Sequence, residues 1–371
     1  MKNKKKTRLQ LAQDEAQAAI NKTNERIEVL GTYTSNLYTA LTDIQELFDK
    51  IRNVPNEKKL QYEELKLIRL NWKQQAEKIE KDYKDAAVKN AGVGVAGAGV
   101  GVAVVTMGPT VAMGVATTFG VASTGTAIST LSGAAATNAA LAWLGGGALA
   151  AGGGGMAAGD AFLALAGPVG WAIAGVALIT SGIFIWKAKS DQEHIEDVFS
   201  LISERDVKSY NLAIVELNER ISRIADESTK LESAIEKIQT FGFDYNKMTE
   251  AQQYELGAYV NLMLSSTQLL VNPIKGVQPK YSTQDYKKYV SWGDKKADDA
   301  LSGDHKTLII SLANFLYKID LNDRDKKLLW KSLIKNKKML KSMNVSKKEF
   351  GISVIDAVLE ALNYQYSSGV K

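Results

Sequence analysis

The chain holds two imidazoles, His194 and His305, which stand far apart and have no partner at metal-ligand spacing. No P-loop, HExxH or GxSxG motif occurs, and there is no cysteine, which removes disulfides, thiolate metal sites and thiol catalysis. Two runs imitate known chemistry. Gly92-Val93-Gly94-Val95-Ala96-Gly97 matches the GxGxxG of dinucleotide-binding turns. That turn must follow a strand, and it needs an acid about 20 positions on to hold a ribose. Here a charged, helix-like stretch precedes it, and the next acid is Asp160. Asp320-Leu321-Asn322-Asp323-Arg324-Asp325 begins like a calcium loop. Its fifth position is Arg324, its sixth is Asp325 where glycine is required, and its twelfth is Lys331 rather than glutamate. A solvated turn between helices is the expected structure there, and His194, beside Gln192 and Glu193, reads as solvated surface. No catalytic, cofactor-binding or metal-ligating residue is expected, and the chain reads as a non-enzyme.

What the sequence concentrates is uncharged surface. Of its 30 glycines, 22 lie between Asn90 and Trp186, and that window carries one formal charge, Asp160. Within it, Ala91–Leu131 is rich in Gly, Val, Ala and Thr and is interrupted by Gly108-Pro109. Ser132–Gly159 contains the runs Gly145-Gly146-Gly147 and Gly152-Gly153-Gly154-Gly155. Ala161–Trp186 has 26 residues without a charge and ends at Lys187 and Lys189. As a helix this last stretch would be about 39 Å long, more than the roughly 30 Å of a hydrocarbon core. Trp171 and Trp186 are amphipathic aromatics, and Trp186-Lys187 has the character of an interfacial anchor. Ile173 and Val176 mark the middle of the stretch.

Gly97 with Gly101, and Gly155 with Gly159, form GxxxG pairs. Such pairs let helix backbones approach closely in lipid, where van der Waals contact replaces the hydrophobic drive. In a water-exposed helix each glycine would cost about 1 kcal/mol relative to alanine. Asp160 has two readings. It is an N-cap for the apolar run that follows, or it is a carboxylate that resists insertion while ionised and permits it once protonated.

The elements that would carry this segment are helical. Ile20, Thr23, Ile27, Leu30, Thr34, Leu37, Leu41, Ile44, Phe48 and Ile51 recur at alternating steps of three and four, a heptad seam. Val54-Pro55-Asn56 breaks it, since proline cannot continue the ladder. A second helix carries Leu65, Ile68, Trp72, Ile79 and Tyr83 on one face to about Lys89, and the short break predicts an antiparallel hairpin. After the insert the design repeats: Tyr210, Ile214, Leu217, Ile221, Ile224, Ser228, Leu231, Ile235 and Ile238 share one heptad frame, ended by Phe241-Gly242-Phe243. Thr249 is the predicted N-cap of a further helix stopped by Asn272-Pro273. From about Val277, Leu308–Leu316, Lys326–Ile334 and Ser353–Tyr364 have the pattern of short amphipathic helices.

The expected fold is all-α, with long antiparallel helical arms, a central glycine-rich hydrophobic helical hairpin and a small C-terminal helical domain. It divides into an N-terminal hairpin arm (1–89), the insertion segment (90–186), a second arm (187–275) and a basic C-terminal domain (276–371). The net charge of +5 is uneven, about +4, −5 and +7 over 1–89, 187–275 and 276–371. A basic tail suits anionic lipid or nucleic acid, but no nucleic-acid motif accompanies it. The basic N-terminus is followed by no apolar h-region, so no cleaved signal peptide is expected. The chain is expected in the cytosol, or exported without such a signal, and then at a membrane.

Two charged helical arms around a long apolar hairpin resemble the layout of bacterial helical pore-forming toxins of the cytolysin A and Hbl/Nhe type, over roughly residues 8–272. The resemblance implies a hydrophobic element folded away between long helices in the soluble form and inserted on assembly. Ala135–Gly159, with Ala140-Leu141-Ala142-Trp143-Leu144-Gly145-Gly146-Gly147, is also similar to glycine-rich cassettes of bacterial membrane-active proteins. The function expected is permeabilisation of a lipid membrane by a homo-oligomer, or with a related helical partner protein. A membrane-anchored scaffold or intracellular membrane effector without a pore is the second reading. A soluble bundle with the glycine-rich segment as its core is the third.

Overall fold

The computed structural model of the chain describes residues 6–91, 188–272, 274, 276, 280–281, 283–295, 305–335, 340 and 346–368. Helix dominates these residues, and no strand occurs among them beyond one isolated parallel bridge, Arg52 to Asp244. The all-α expectation holds. Four long helices form the frame: α1 (Arg8–Lys50), α2 (Asn56–Ala91), α3 (Lys189–Gln239) and α4 (Glu250–Val271).

α1 starts on a capping box. The Thr7 hydroxyl accepts from the Gln10 N–H at 3.2 Å, and the Gln10 side chain accepts from the Thr7 N–H at 3.1 Å. Of its seam, Thr23, Leu30, Thr34, Leu37, Leu41, Ile44, Phe48 and Ile51 are all buried; the side chains of Ile20 and Ile27 lie outside the described residues. Thr23 is tolerated inside because its hydroxyl donates to the Ala19 carbonyl at 2.7 Å. α3 answers with Tyr210, Ile214, Leu217, Ile224, Leu231 and Ile238 buried, and Ile221, Ser228 and Ile235 half-buried. Each buried Leu or Ile contributes roughly 1.5–3 kcal/mol.

Both hairpins are antiparallel. Phe48 meets Tyr62 edge-on at 5.2 Å, and Tyr38 stacks on Trp72 at 5.8 Å, so contacts spread in sequence away from the Pro55 turn. Across α3 and α4, Glu227 accepts from Ser266 at 2.9 Å, and Arg220 reaches the Leu269 carbonyl at 2.7 Å. Thr249 caps α4 through a capping box with Gln252, and Asn272 is its C-cap.

The hairpins then lie side by side in the same sense. Arg8 pairs with Glu204 at one end, 196 residues away, and Asn53 pairs with Asp244 at the other, 191 away. A separation that stays nearly constant means that α1 and α3 run parallel, and α1 packs chiefly on α3 rather than on its own hairpin partner. The two turns are stitched together: the Arg52 N–H donates to the Phe243 carbonyl and the Tyr245 N–H to the Arg52 carbonyl, both at 3.0 Å. Asn53 and Gly242 take positive φ there, a geometry that asparagine tolerates and glycine adopts freely.

A second core begins where α4 ends. α5 (Thr283–Ser291), α6 (Lys306–Leu316), α7 (Asp323–Leu333) and α8 (Ile352–Ser368) surround Leu312, Phe315, Phe350 and Val358. α6, α7 and α8 cover the three amphipathic stretches; α5 was not legible beforehand. Leu9 of α1 and Ile195, Val198, Phe199 and Ile202 of α3 belong to the same core, so α3 runs through both. Asn314, 1 % exposed, clasps the chain leading into α5. Its Oδ1 accepts from the N–H groups of Lys280 and Tyr281, and its Nδ2 donates to the Tyr281 and Ile310 carbonyls. The Asp320–Asp325 run serves as a helix start: Asn322 accepts from the Arg324 and Asp325 N–H groups at 2.9 Å, and the Asp325 carboxylate accepts from the Asn322 N–H at 3.2 Å.

The chain leaves α4 by passing tightly over α3 at Gly276. Its N–H donates to Glu216 Oε2 at 2.7 Å, and a Cβ there would stand 2.8 Å from the Ala213 Cα. Gly276→Ala is therefore expected to lower unfolding free energy by about 1–3 kcal/mol in a urea titration. Wild-type stability would show that this crossing can widen without cost.

Candidate functional site

The candidate site is the apolar segment together with the frame that holds its two ends. Gly97, Gly101, Gly155, Gly159, Asp160, Trp171, Ile173, Val176, Trp186 and Lys187 all lie outside the described residues. What the structure does describe is how the chain arrives at and returns from them.

The arrival is α2, which runs back from the stitched turns and continues from Trp72 to Ala91, about 28 Å of helix at 1.5 Å per residue. The return is α3, which starts at Lys189 and runs toward those turns. Both attachments therefore lie away from the stitched turns, on the side of the second core.

The α3 start is fastened by charge. Asp191 sits in the first turn, where the helix dipole favours an anion, and its carboxylate accepts from Arg324 Nη2 of α7 at 2.7 Å. Arg324 Nη2 also donates to Ser190 Oγ at 2.8 Å. His194, partly exposed, has its Nδ1 3.7 Å from Asp325 Oδ1. One helical turn beyond Ile202, α3 holds a charge pair with its acid fully buried. Arg205 Nε and Nη2 donate to Asp206 Oδ1 at 2.9 and 2.7 Å, and its Nη1 donates to the Phe315 carbonyl at 3.0 Å and to the Tyr317 carbonyl. Arg205 thus ties α3 to the end of α6. Asp206 is fully buried, and among the described residues its Oδ2 has no hydrogen-bond partner. Burial raises its carboxyl to about 7, against the opposing pull of the Arg205 charge and hydrogen bonds and of the Lys280 charge.

Sequence reasoning passed over Asp206 because Glu204-Arg205-Asp206 looks like solvated helix. The seam gave little signal: its alternation of four and three puts the next member back at Val207, and Asp206 stands one residue off that frame, four residues before Tyr210 on the same side of α3. Arg69 of α2 was missed for the same reason. It is 2 % exposed, with its guanidinium 5.8 Å from the centre of the Tyr38 ring, and burial holds it below its ordinary pKa.

Among the described residues no helix is long and apolar enough to cross a membrane, and no cluster of His, Asp and Glu could hold a metal ion. No family model, no curated protein and no solved structure matches the chain.

Proposed function

We propose that this protein is a non-enzymatic, membrane-inserting chain that permeabilises bilayers through oligomerisation of its helical frame and insertion of residues 90–186. The observation that carries the reading is the charge pattern: one formal charge between Asn90 and Trp186, with Lys84, Lys89, Lys187 and Lys189 at the borders. Lysines cross hydrocarbon poorly, so an inserted hairpin leaves both borders on one side of the bilayer. Two helices that both turn their ends toward the same side of the frame suit a hairpin with both roots on one leaflet. A lone hairpin faces lipid all round and encloses no water, so a conducting state needs several copies. The resemblance to helical pore-forming toxins supports the same reading.

Phosphatidylglycerol-containing vesicles loaded with a small dye test it. Release is expected to rise steeply with protein concentration and to vanish when Ala91–Trp186 is deleted, with the helical circular-dichroism signal of the remaining chain retained. Carbonate-resistant binding without release at any concentration would favour the anchored scaffold or intracellular effector. Failure to associate with any vesicle would favour a soluble bundle built around the glycine-rich segment.

A further inference from the structure

We infer that the outer face of α7 and the turn beside it form a docking surface for anionic phospholipid headgroups, which sets the root of the apolar segment against the bilayer. The inference rests on the membrane-insertion reading for its choice of lipid as partner. Between Lys326 and Lys348 the sequence has nine lysines and no acid. Arg324, Lys327 and Lys331 recur at steps of three and four, so they share one side of α7, and Lys335 follows a turn later. The opposite side is committed inward, with Leu329 and Leu333 buried in the second core, and Leu328 is buried at its edge. Lys327 and Lys331 are exposed, as are Lys347 and Lys348. The turn carrying the latter two is tied to α7 by a hydrogen bond from Trp330 Nε1 to the Phe350 carbonyl, 2.8 Å.

The acids nearby are largely engaged elsewhere. Asp323 and Asp356 both pair with Lys326, at 2.8 and 3.0 Å, and the Glu349 carboxylate accepts from the Ser346 N–H at 2.7 Å. Asp325 is turned inward, where it closes the cap of α7. The Glu349 carboxylate keeps its charge, and the ridge is cationic because Lys327, Lys331, Lys335, Lys347 and Lys348 outnumber it.

Position adds what charge alone does not. Arg324 begins the ridge and is bonded to Asp191 and Ser190, the first residues of α3 after the apolar segment ends. A bilayer that attracts Lys327, Lys331, Lys347 and Lys348 thus holds the α3 root within a few residues of the headgroups. Attraction of this kind acts over about a Debye length and weakens with salt. Nucleic acid offers the same anionic chemistry, but it has no use for an apolar segment rooted beside the ridge.

The full-length protein, and a variant with Lys327→Glu, Lys331→Glu, Lys347→Glu and Lys348→Glu, are compared by sedimentation with phosphatidylcholine vesicles containing or lacking phosphatidylglycerol. Wild type is expected to bind the anionic vesicles at least tenfold more tightly than the neutral ones, and to lose that preference at high salt. The variant should lose it at low salt. A second variant, with arginine at the same four positions, should keep it, which separates charge from folding. Equal anionic preference in wild type and the glutamate variant would overturn the inference. So would tighter binding of wild type to duplex DNA than to the anionic vesicles. Anionic binding without dye release would remove the permeabilising function and leave the docking surface standing. Dye release unaffected by the glutamate substitutions would do the reverse.

Discussion

Full-length protein carrying Ile173→Lys and Val176→Lys together is expected to lose carbonate-resistant membrane association, with dye release falling to the vesicle background. Both residues lie at the centre of Ala161–Trp186, 26 residues without a charge. A lysine at the centre of a spanning helix costs about 2.5–3.5 kcal/mol. Two of them cost roughly 5–7 kcal/mol, and since every 1.4 kcal/mol is tenfold, partitioning falls by about four orders of magnitude. Lysines near the ends of the stretch could extend to the headgroups, but central ones have the farthest to reach. The described members of both cores come from outside 92–187, so the frame should keep its helical signal and its melting transition. The readout that matters is the pairing of a folded frame with lost insertion. Unchanged release would remove Ala161–Trp186 from the inserting element. A variant that no longer folds in solution would point to the segment as a core, the soluble-bundle alternative.

The seams were readable because burial on one side of a helix leaves a periodic trace. All eight α1 seam side chains that the structure describes, from Thr23 to Ile51, are buried, and Thr249 and Asn272 bound α4 as their side-chain chemistry predicts. A stripe, however, announces that a partner exists without naming it. Nothing local in Leu30 or Leu37 distinguishes packing on α2 from packing on α3, so the parallel pairing of the two long helices is a long-range fact absent from the pattern. The start of α3 was hidden differently. Ile195, Val198, Phe199 and Ile202 serve the second core, whereas Tyr210 onward serves the first, and one continuous helix gives no sign of the change. Charged residues were assigned to the surface by type, which failed at Asp206 and Arg69, where a neighbouring guanidinium or an aromatic face stands in for water. The apolar segment is legible as composition only, and its ten candidate positions fall outside the described residues.

Asp206→Asn is expected to flatten the pH dependence of unfolding between about pH 4 and pH 7. In the folded protein burial holds the carboxyl at about 7, with Arg205 on the same helix and Lys280 from the chain entering α5 opposing that rise. Unfolded, an aspartate returns to about 3.9. The native state therefore binds this proton more tightly than the unfolded state does. The stabilisation is fully present below the unfolded value and is lost as pH rises through the folded one. At 1.36 kcal/mol per unit, the span amounts to an order of 4 kcal/mol. Asparagine keeps an oxygen for Arg205 and carries no charge at any pH, so urea titrations at pH 4 and pH 8 should differ less for the variant by about that amount. Parallel curves would mean that Arg205 compensates the carboxylate fully and that Asp206 is ionised throughout. The sign bears on triggering. Arg205 and Asp206 join α3, the helix on which the apolar segment is rooted, to the end of α6. On the expected sign, protonating Asp206 stabilises the folded frame that contains this junction. An acid-dependent insertion would have to draw its free energy from another group, and on the reading of Asp160 as a carboxylate that resists insertion while ionised, rather than as an N-cap, that group would be Asp160.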